Sequence, residues 1–204
     1  MKHPLVRIID DDADARSSTS FFLSVMGWEI KEYESAVHFL ETDDLSRPGC
    51  LVLDVRMPEM TGMELQVKLN QKDCRLPIIF LSGHGDLDMA VHALKRGASD
   101  FLEKTSKPER LQAAVCKAAK ESVALTESIE SREKLKSVFK SLTPREKEVA
   151  LRVAKGELNK VIAYDLGISE RTVKMHRSNV CAKLNVASAV ELAAFLNELQ
   201  VSYE

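Results

Sequence analysis

The sequence predicts two domains of different class. Residues 1–120 read as an α/β domain on a five-stranded parallel sheet with helices on both faces, and residues 141–204 as an all-α domain of four helices. Three observations predict this. Five short apolar runs alternate with helical patterns through the first part, the signature of a parallel sheet covered on both sides. Four of those runs deliver polar, chemistry-bearing residues to their C-terminal ends. From residue 141 onward the pattern is helical throughout.

The strands are expected at Leu5–Ile9, Trp28–Tyr33, Cys50–Leu53, Pro77–Leu81 and Asp100–Leu102. The first helix covers Asp14 to Met26, with Phe21, Phe22, Val25 and Met26 spaced for one face. A short helix follows over Ser35 to Glu41. The third, Gly62 to Asn70, carries Met63, Leu65, Val67 and Leu69. Leu87 to Arg96 closes at Gly97, a helix-terminating residue. Pro108 opens a helix over Glu109 to Lys120. Residues 121–140 are polar, contain no Gly or Pro, and read as a helical, semi-rigid linker continuing out of the first domain.

Thr143-Pro144-Arg145-Glu146 places an N-cap, a proline at the first helical position and a glutamate behind it. That helix runs to Gly156. A second covers Asn159 to Leu166 and stops at Gly167. Ser169 caps a third, from Glu170 to about Leu184, and a fourth covers Ser188 to Leu199. Two helices joined by the short turn DLGIS, the second of them basic, make a helix-turn-helix.

The 204 residues are 45% hydrophobic and 29% charged, as in ordinary globular proteins. Residues 1–119 hold 15 Lys/Arg against 19 Asp/Glu, and residues 141–204 hold 9 against 8. Within the second part, Arg171, Lys174, Arg177 and Lys183 occupy a stretch without an acidic residue, which fits a nucleic-acid partner. Cys50, Cys74, Cys116 and Cys181 show no CxxC or Cys/His spacing, so reduced thiols of a cytoplasmic protein are expected. No apolar stretch is long enough for a leader or a membrane span.

Asp10 and Asp11 follow the first strand, Asp54 the third, Ser82 the fourth and Lys104 the fifth. In an open α/β sheet the C-terminal strand edge is where ligands bind. Mg²⁺ (or Mn²⁺) takes oxygen ligands in a near-octahedral shell. Asp11 and Asp54 can supply carboxylates, Asp10 can hold a metal-bound water, and the backbone carbonyl of Arg56 is a further candidate ligand. Crowded carboxylates repel one another, and a divalent cation with the Lys104 ammonium relieves this. The same charges suit a transferring phosphoryl group, with Asp54 as nucleophile and Ser82 and Lys104 on phosphoryl oxygens.

The motifs IIDDD, LVLDVRMPEMTGMEL, IIFLSGHGD and GASDFLEK make residues 4–119 resemble the CheY-like receiver domain of two-component response regulators. The resemblance implies a flavodoxin-like fold with strand order 2-1-3-4-5. It implies Asp54 as phosphoacceptor, Ser82 as switch hydroxyl, Phe101 as switch aromatic and Lys104 as the phosphate-sensing lysine. Enzymatic activity is then expected only as self-phosphorylation and slow autodephosphorylation. Two positions depart from the family pattern. Thr105 stands where the family has a proline behind a cis bond, so the bond after Lys104 is either trans or strained by roughly 2.5–4 kcal/mol. His84 stands where many relatives have Ala, and reads either as a pH-responsive or metal-binding neighbour of Ser82 or as an exposed loop residue.

LTPREKEV, NKVIAYDLGIS and RTVKMHRSNVCAKL resemble the LuxR-type four-helix module, which makes the whole chain similar to the FixJ/NarL class. On the third helix of this part, Val173, Val180 and Leu184 are spaced for the core. Arg171, Lys174, Met175 and Ser178 lie on another face and would meet the major groove, although Met175 also fits a partial core position. Lys160, Thr172, His176, Arg177 and Lys183 are placed for phosphates, which set register without reading sequence.

The expected function is a response regulator phosphorylated by a sensor histidine kinase and binding paired half-sites in promoter DNA as a homodimer, with RNA polymerase as a candidate partner. The alternative is a phosphate-independent DNA-binding regulator using its first domain for interactions. A dehalogenase-like phosphatase shares the strand-end aspartates but needs a DxDx(T/V) motif absent from the first strand.

Overall fold

The strands β1 (Leu5–Ile9), β2 (Glu29–Tyr33), β3 (Gly49–Asp54), β4 (Ile78–Ser82) and β5 (Asp100–Glu103) form one parallel sheet in the order β2-β1-β3-β4-β5. Each falls within one residue of its expected range. The molecule is described from a computed structural model over residues 3–83 and 87–199. His84 therefore lies outside the described residues. The chain divides into two compact units, Met1–Thr126 and Glu127–Glu204.

Alternation along the strands sorts the apolar residues between two cores. Ile9, Leu51, Leu53, Ile78 and Phe80 face α2 (Ala36–Thr42), α3 (Gly62–Gln71) and α4 (Leu87–Lys95). Val6, Ile8, Cys50, Val52, Ile79 and Leu81 face α1 (Ala13–Val25) and α5 (Pro108–Lys140). Strands buried on both sides read as near-continuous apolar runs, and β3 and β4 do. Burial pushes the Cys50 thiol up to about 12, which keeps it un-ionised. All four cysteines are unpaired.

The face expected for α1 is corrected. Phe21 is 72% and Val25 66% exposed, whereas Leu23 is fully buried. The inward face runs through Ala15, Arg16, Thr19, Ser20, Phe22 and Leu23. Its first turns are polar because they border the strand ends, so its true periodicity was hidden behind a more apolar outward stripe.

Arg7 interrupts the apolar run of β1 and is nonetheless fully buried. Its Nε donates to Asp43 Oδ1 at 2.7 Å, and its Nη2 to the carbonyls of Asp44 and Arg47 at 2.9 and 3.1 Å. Tyr33 Oη also donates to Asp43. Burial and this carboxylate hold the tyrosine hydroxyl well above its ordinary pKa. The network ties β1 and β2 to the segment entering β3.

In the second unit, α6 (Pro144–Ala154), α7 (Asn159–Leu166), α8 (Glu170–Leu184) and α9 (Ala189–Glu198) close around Val149, Ala150, Val153, Ile162, Val173, Val180, Leu184, Leu192 and Leu196. Leu135 and Phe139, near the end of α5, pack against this core. The division between the units falls inside α5, which is 33 residues long. Thr143 and Glu146 form the capping box of α6. Gly167 ends α7 at φ +63°, a left-handed conformation that costs glycine little. Among the described residues no single helix is long and apolar enough to cross a membrane.

Candidate phosphoryl site and nucleic-acid face

Strand order changes direction at β1, which has β2 on one side and β3 on the other. The crevice beyond the ends of β1 and β3 is the topological switch point. Ile9 pairs with Leu53, so Asp10 and Asp54 leave the sheet side by side. Both are nearly buried, while Asp11 is exposed. One carboxylate oxygen from each of Asp10, Asp11 and Asp54 lies within 4.8 Å of the others. Three hard oxygen donors at that spacing fit Mg²⁺ or Mn²⁺.

Lys104 enters the same crevice from β5. Its Nζ sits 2.6 Å from Asp10 Oδ2 and 2.9 Å from Asp54 Oδ1. Its backbone N–H donates to the Ser82 carbonyl at 2.7 Å, which registers it against β4. The Lys104–Thr105 bond is trans, so the lysine reaches both carboxylates without the strained alternative. Burial pushes the Asp10 carboxyl up from its ordinary value, against the opposing pull of Lys104. Burial also works against the Lys104 ammonium, but the two carboxylates outweigh it and hold its pKa above the ordinary value.

Ser82 ends β4 beside Glu103 and is 4% exposed. Phe101 is half-buried, pairs in register with Phe80 and stacks at a tilt with ring centroids 6.0 Å apart. Arg56 is exposed, and its N–H donates to Asp54 Oδ2 at 2.8 Å. Thus Asp10, Asp11, Asp54 and Lys104 converge on one crevice, Ser82 borders it at the end of the adjoining strand, and Phe101 points into the core on the α4 side.

Two contributors went unread in the sequence. A Cβ at Gly62 would lie 2.1 Å from the Asp54 carbonyl oxygen, so only glycine lets α3 start this close to the end of β3. Arg16 donates to the Asp10 carbonyl at 2.7 Å. The glycine after MPEMT was the available signal for the first. An arginine in a polar helical stretch gave none for the second.

The second unit presents α8. Arg171, Lys174, Met175 and Ser178 are all exposed along one stripe, and Met175, at 52% exposure, is not a core residue. Val173, Val180 and Leu184 are buried on the other side. Lys160 is exposed on α7. Arg177 Nη1 donates to Asn159 Oδ1 at 2.6 Å, joining α8 to the start of α7. Thr172 Oγ1 hydrogen-bonds Ser169 at the cap of α8. His176 is half-buried, with its Nδ1 sealed from solvent and without a partner. Lys183 is committed elsewhere: its Nζ lies 2.9 and 2.7 Å from the two oxygens of Glu146, whose side chain is 4% exposed. The lysine, with the Thr143 N–H, holds the Glu146 carboxyl below its ordinary pKa.

Comparison with known proteins agrees with this division. Residues 6–116 match the family model of the response regulator receiver domain, and residues 140–196 that of the luxR family of bacterial regulatory proteins. The response regulator protein TmoT of Ectopseudomonas mendocina is 40% identical over 198 residues, covering 97% of this chain and 90% of that protein. The transcriptional regulatory protein FixJ of Rhizobium meliloti is 40% identical over 187 residues, 92% of each. The solved structure of the response regulator StyR is 38% identical with a TM-score of 0.91, over 96% of this chain and 99% of that one. Acidic crevice, helix-turn-helix and relatives converge on one assignment: the chain belongs to the two-component response regulators that join a receiver domain to a LuxR-type helix-turn-helix domain.

Proposed function

We propose that Asp54 is the phosphoryl acceptor of this regulator, and that phosphorylation by a sensor histidine kinase governs its binding to promoter DNA. The Lys104 ammonium held between Asp10 and Asp54 carries this reading, because it sets a cation where charge would develop on a phosphoryl group. Asp54 Oδ attacks phosphorus, the P–N bond to the kinase imidazole breaks, and the imidazole leaves with its electron pair. Lys104 and Ser82 bind phosphoryl oxygens. Asp11, Asp54 and the Arg56 carbonyl are the residues that would hold Mg²⁺ or Mn²⁺, with Asp10 on a bound water. Such an ion offsets the negative charge of the crevice and of the incoming group. Phe101, next to Phe80 at the α4 side, follows Ser82 inward and passes the change to the surface.

Residues 121–140 serve as a helical linker between a receiver of residues 1–120 and a DNA-binding domain of residues 141–204. Arg171, Lys174, Met175 and Ser178 read base edges, while Lys160, Thr172, His176 and Arg177 set the register on phosphates. Homodimers bind paired half-sites, with RNA polymerase as the further partner. A phosphate-independent regulator is the weaker reading, because Lys104 reaches Asp54 despite Thr105.

Light scattering of the full chain with Mg²⁺, with and without beryllofluoride, tests the proposal. We expect a beryllofluoride-driven dimer in the wild type and none in Asp54→Asn. A wild type that binds beryllofluoride and stays monomeric removes phosphorylation-driven dimerisation.

A further inference from the structure

We infer that Arg16 is a positioning residue for the cation site: its guanidinium fixes the Asp10–Asp11 peptide so that the Asp11 carboxylate stays turned toward Asp54. Four atoms of Asp10 have a hydrogen-bonding or ionic partner. Its N–H donates to the Tyr33 carbonyl at 3.2 Å, its Oδ1 accepts from the Asp12 N–H at 3.0 Å, and its Oδ2 meets Lys104. Its carbonyl oxygen accepts from Arg16 Nη1 at 2.7 Å. That carbonyl belongs to the peptide that leads into Asp11. Asp11 is exposed, and the backbone beneath it sets the direction of its side chain.

Arg16 is itself held. Its side chain is only 17% exposed, because it sits on the inward face of α1. Its Nε lies 3.6 Å from Glu32 Oε2, and Glu32 Oε1 accepts from Ser20 Oγ at 2.7 Å. A planar fork can serve a carbonyl and a carboxylate at once, which a compact ammonium does less well. The geometry is that of a residue orienting a metal ligand from behind rather than touching the ion.

The guanidinium is also a positive charge beside a cation site. If charge dominated, its removal would tighten cation binding; if positioning dominates, removal weakens it. The sign separates the two. The inference rests on the cation site proposed above, and the test distinguishes the failure of either.

Isothermal titration of the full chain with MgCl₂ gives the readout. Arg16→Met is expected to weaken Mg²⁺ binding about ten-fold, the usual cost of losing such a supporting partner. Arg16→Lys, which keeps the charge and one donor but not the fork, should recover part of the affinity, whereas if charge dominated it would bind Mg²⁺ no better than wild type and more weakly than Arg16→Met. Should Arg16→Met fail to fold, Glu32→Gln carries the test, because it frees the guanidinium from its orienting carboxylate and should also weaken binding. Wild-type affinity, or tighter binding, in the folded variant overturns the inference. A wild type that binds no Mg²⁺ overturns the cation site and the inference with it.

Discussion

Lys104 Nζ lies 2.9 Å from Asp54 Oδ1, and it reaches that position through a trans peptide followed by Thr105. The same ammonium is shared with Asp10. Lys104→Met therefore removes a positive charge from beside a cluster of carboxylates. Mg²⁺ binding should tighten by about thirty-fold, since a double and a unit charge some 4 Å apart in water interact by roughly 2 kcal/mol. The response to beryllofluoride should be lost, because no ammonium meets the phosphoryl mimic. Titration calorimetry and light scattering check the two halves. Weaker Mg²⁺ binding would mean that Lys104 holds the site in shape rather than opposing the metal.

Asp10 gives a pH prediction with a definite sign. Its folded-state pKa is raised above 3.8, chiefly by burial. The folded state therefore holds that proton more tightly than the unfolded chain does. The resulting stability is fully present below 3.8 and is lost as the pH rises through the raised value. Asn mimics the protonated group. The stability difference between Asp10→Asn and wild type should therefore grow in favour of the variant as the pH climbs through this window. Denaturant midpoints in EDTA, compared pairwise at each pH, provide the measurement. A difference that shrinks with rising pH would show that Lys104 outweighs burial.

The legible part of the molecule was its sheet edge. Apolar runs ending in Asp54, in Ser82 or just before Asp10 identify both a strand and its ligand-bearing end, so site and fold were read together. Arg7 was harder. A cation in the run LVRII is visible, but its partner Asp43 is 36 residues away and only the fold brings them together. The inward face of α1 was hidden for a related reason, since residues bordering a polar crevice do not follow apolar periodicity. Lys183 looked like any basic residue on a DNA-reading helix. Its acceptor, Glu146, reads in sequence as a capping glutamate and does both jobs.

The buried pair Arg7–Asp43 predicts a large stability effect. Asp43→Asn leaves the Arg7 guanidinium sealed from water without its counter-charge. Breaking such a pair by removing one partner costs about 3–5 kcal/mol. Combining it with Arg7→Met should recover much of that loss, because the uncompensated charge is gone. Urea denaturation of the two single variants and the double variant tests the coupling. Additive losses would show that the pair is not the interaction that matters.

Gly62 predicts an effect that passes from packing into the site. A methyl there would sit 2.1 Å from the Asp54 carbonyl oxygen, so either the start of α3 or the end of β3 must shift. Gly62→Ala should cost on the order of 1–3 kcal/mol, as overpacking does. It should also weaken Mg²⁺ binding, because the displaced backbone carries Asp54. A variant that loses stability but keeps wild-type Mg²⁺ affinity would show that the strain is absorbed by α3 alone.

The two exposed-looking lysines of α8 should behave differently on DNA. Lys174 is exposed on the stripe that faces outward, whereas Lys183 is paired with a buried carboxylate at the far end of the helix. Glu146 has little access to water, so losing Lys183 leaves it poorly compensated. Because the lysine is itself 40% exposed, the cost of Lys183→Met should be only about 1–2 kcal/mol, between the values for surface and buried pairs. That loss should appear as a lower thermal midpoint of the full chain. It should fade as the pH falls through the depressed pKa of Glu146, since the pair contributes stability above 4.5 and loses it when the carboxylate protonates. DNA affinity, measured on the folded variant against a fixed duplex, should keep the wild-type dependence on salt. A phosphate contact instead contributes about one unit to the slope of log affinity against log salt concentration. Lys174→Met should lower affinity with the thermal midpoint intact. If Lys183→Met reduces the salt slope and leaves the thermal midpoint alone, the lysine leaves Glu146 for the DNA backbone.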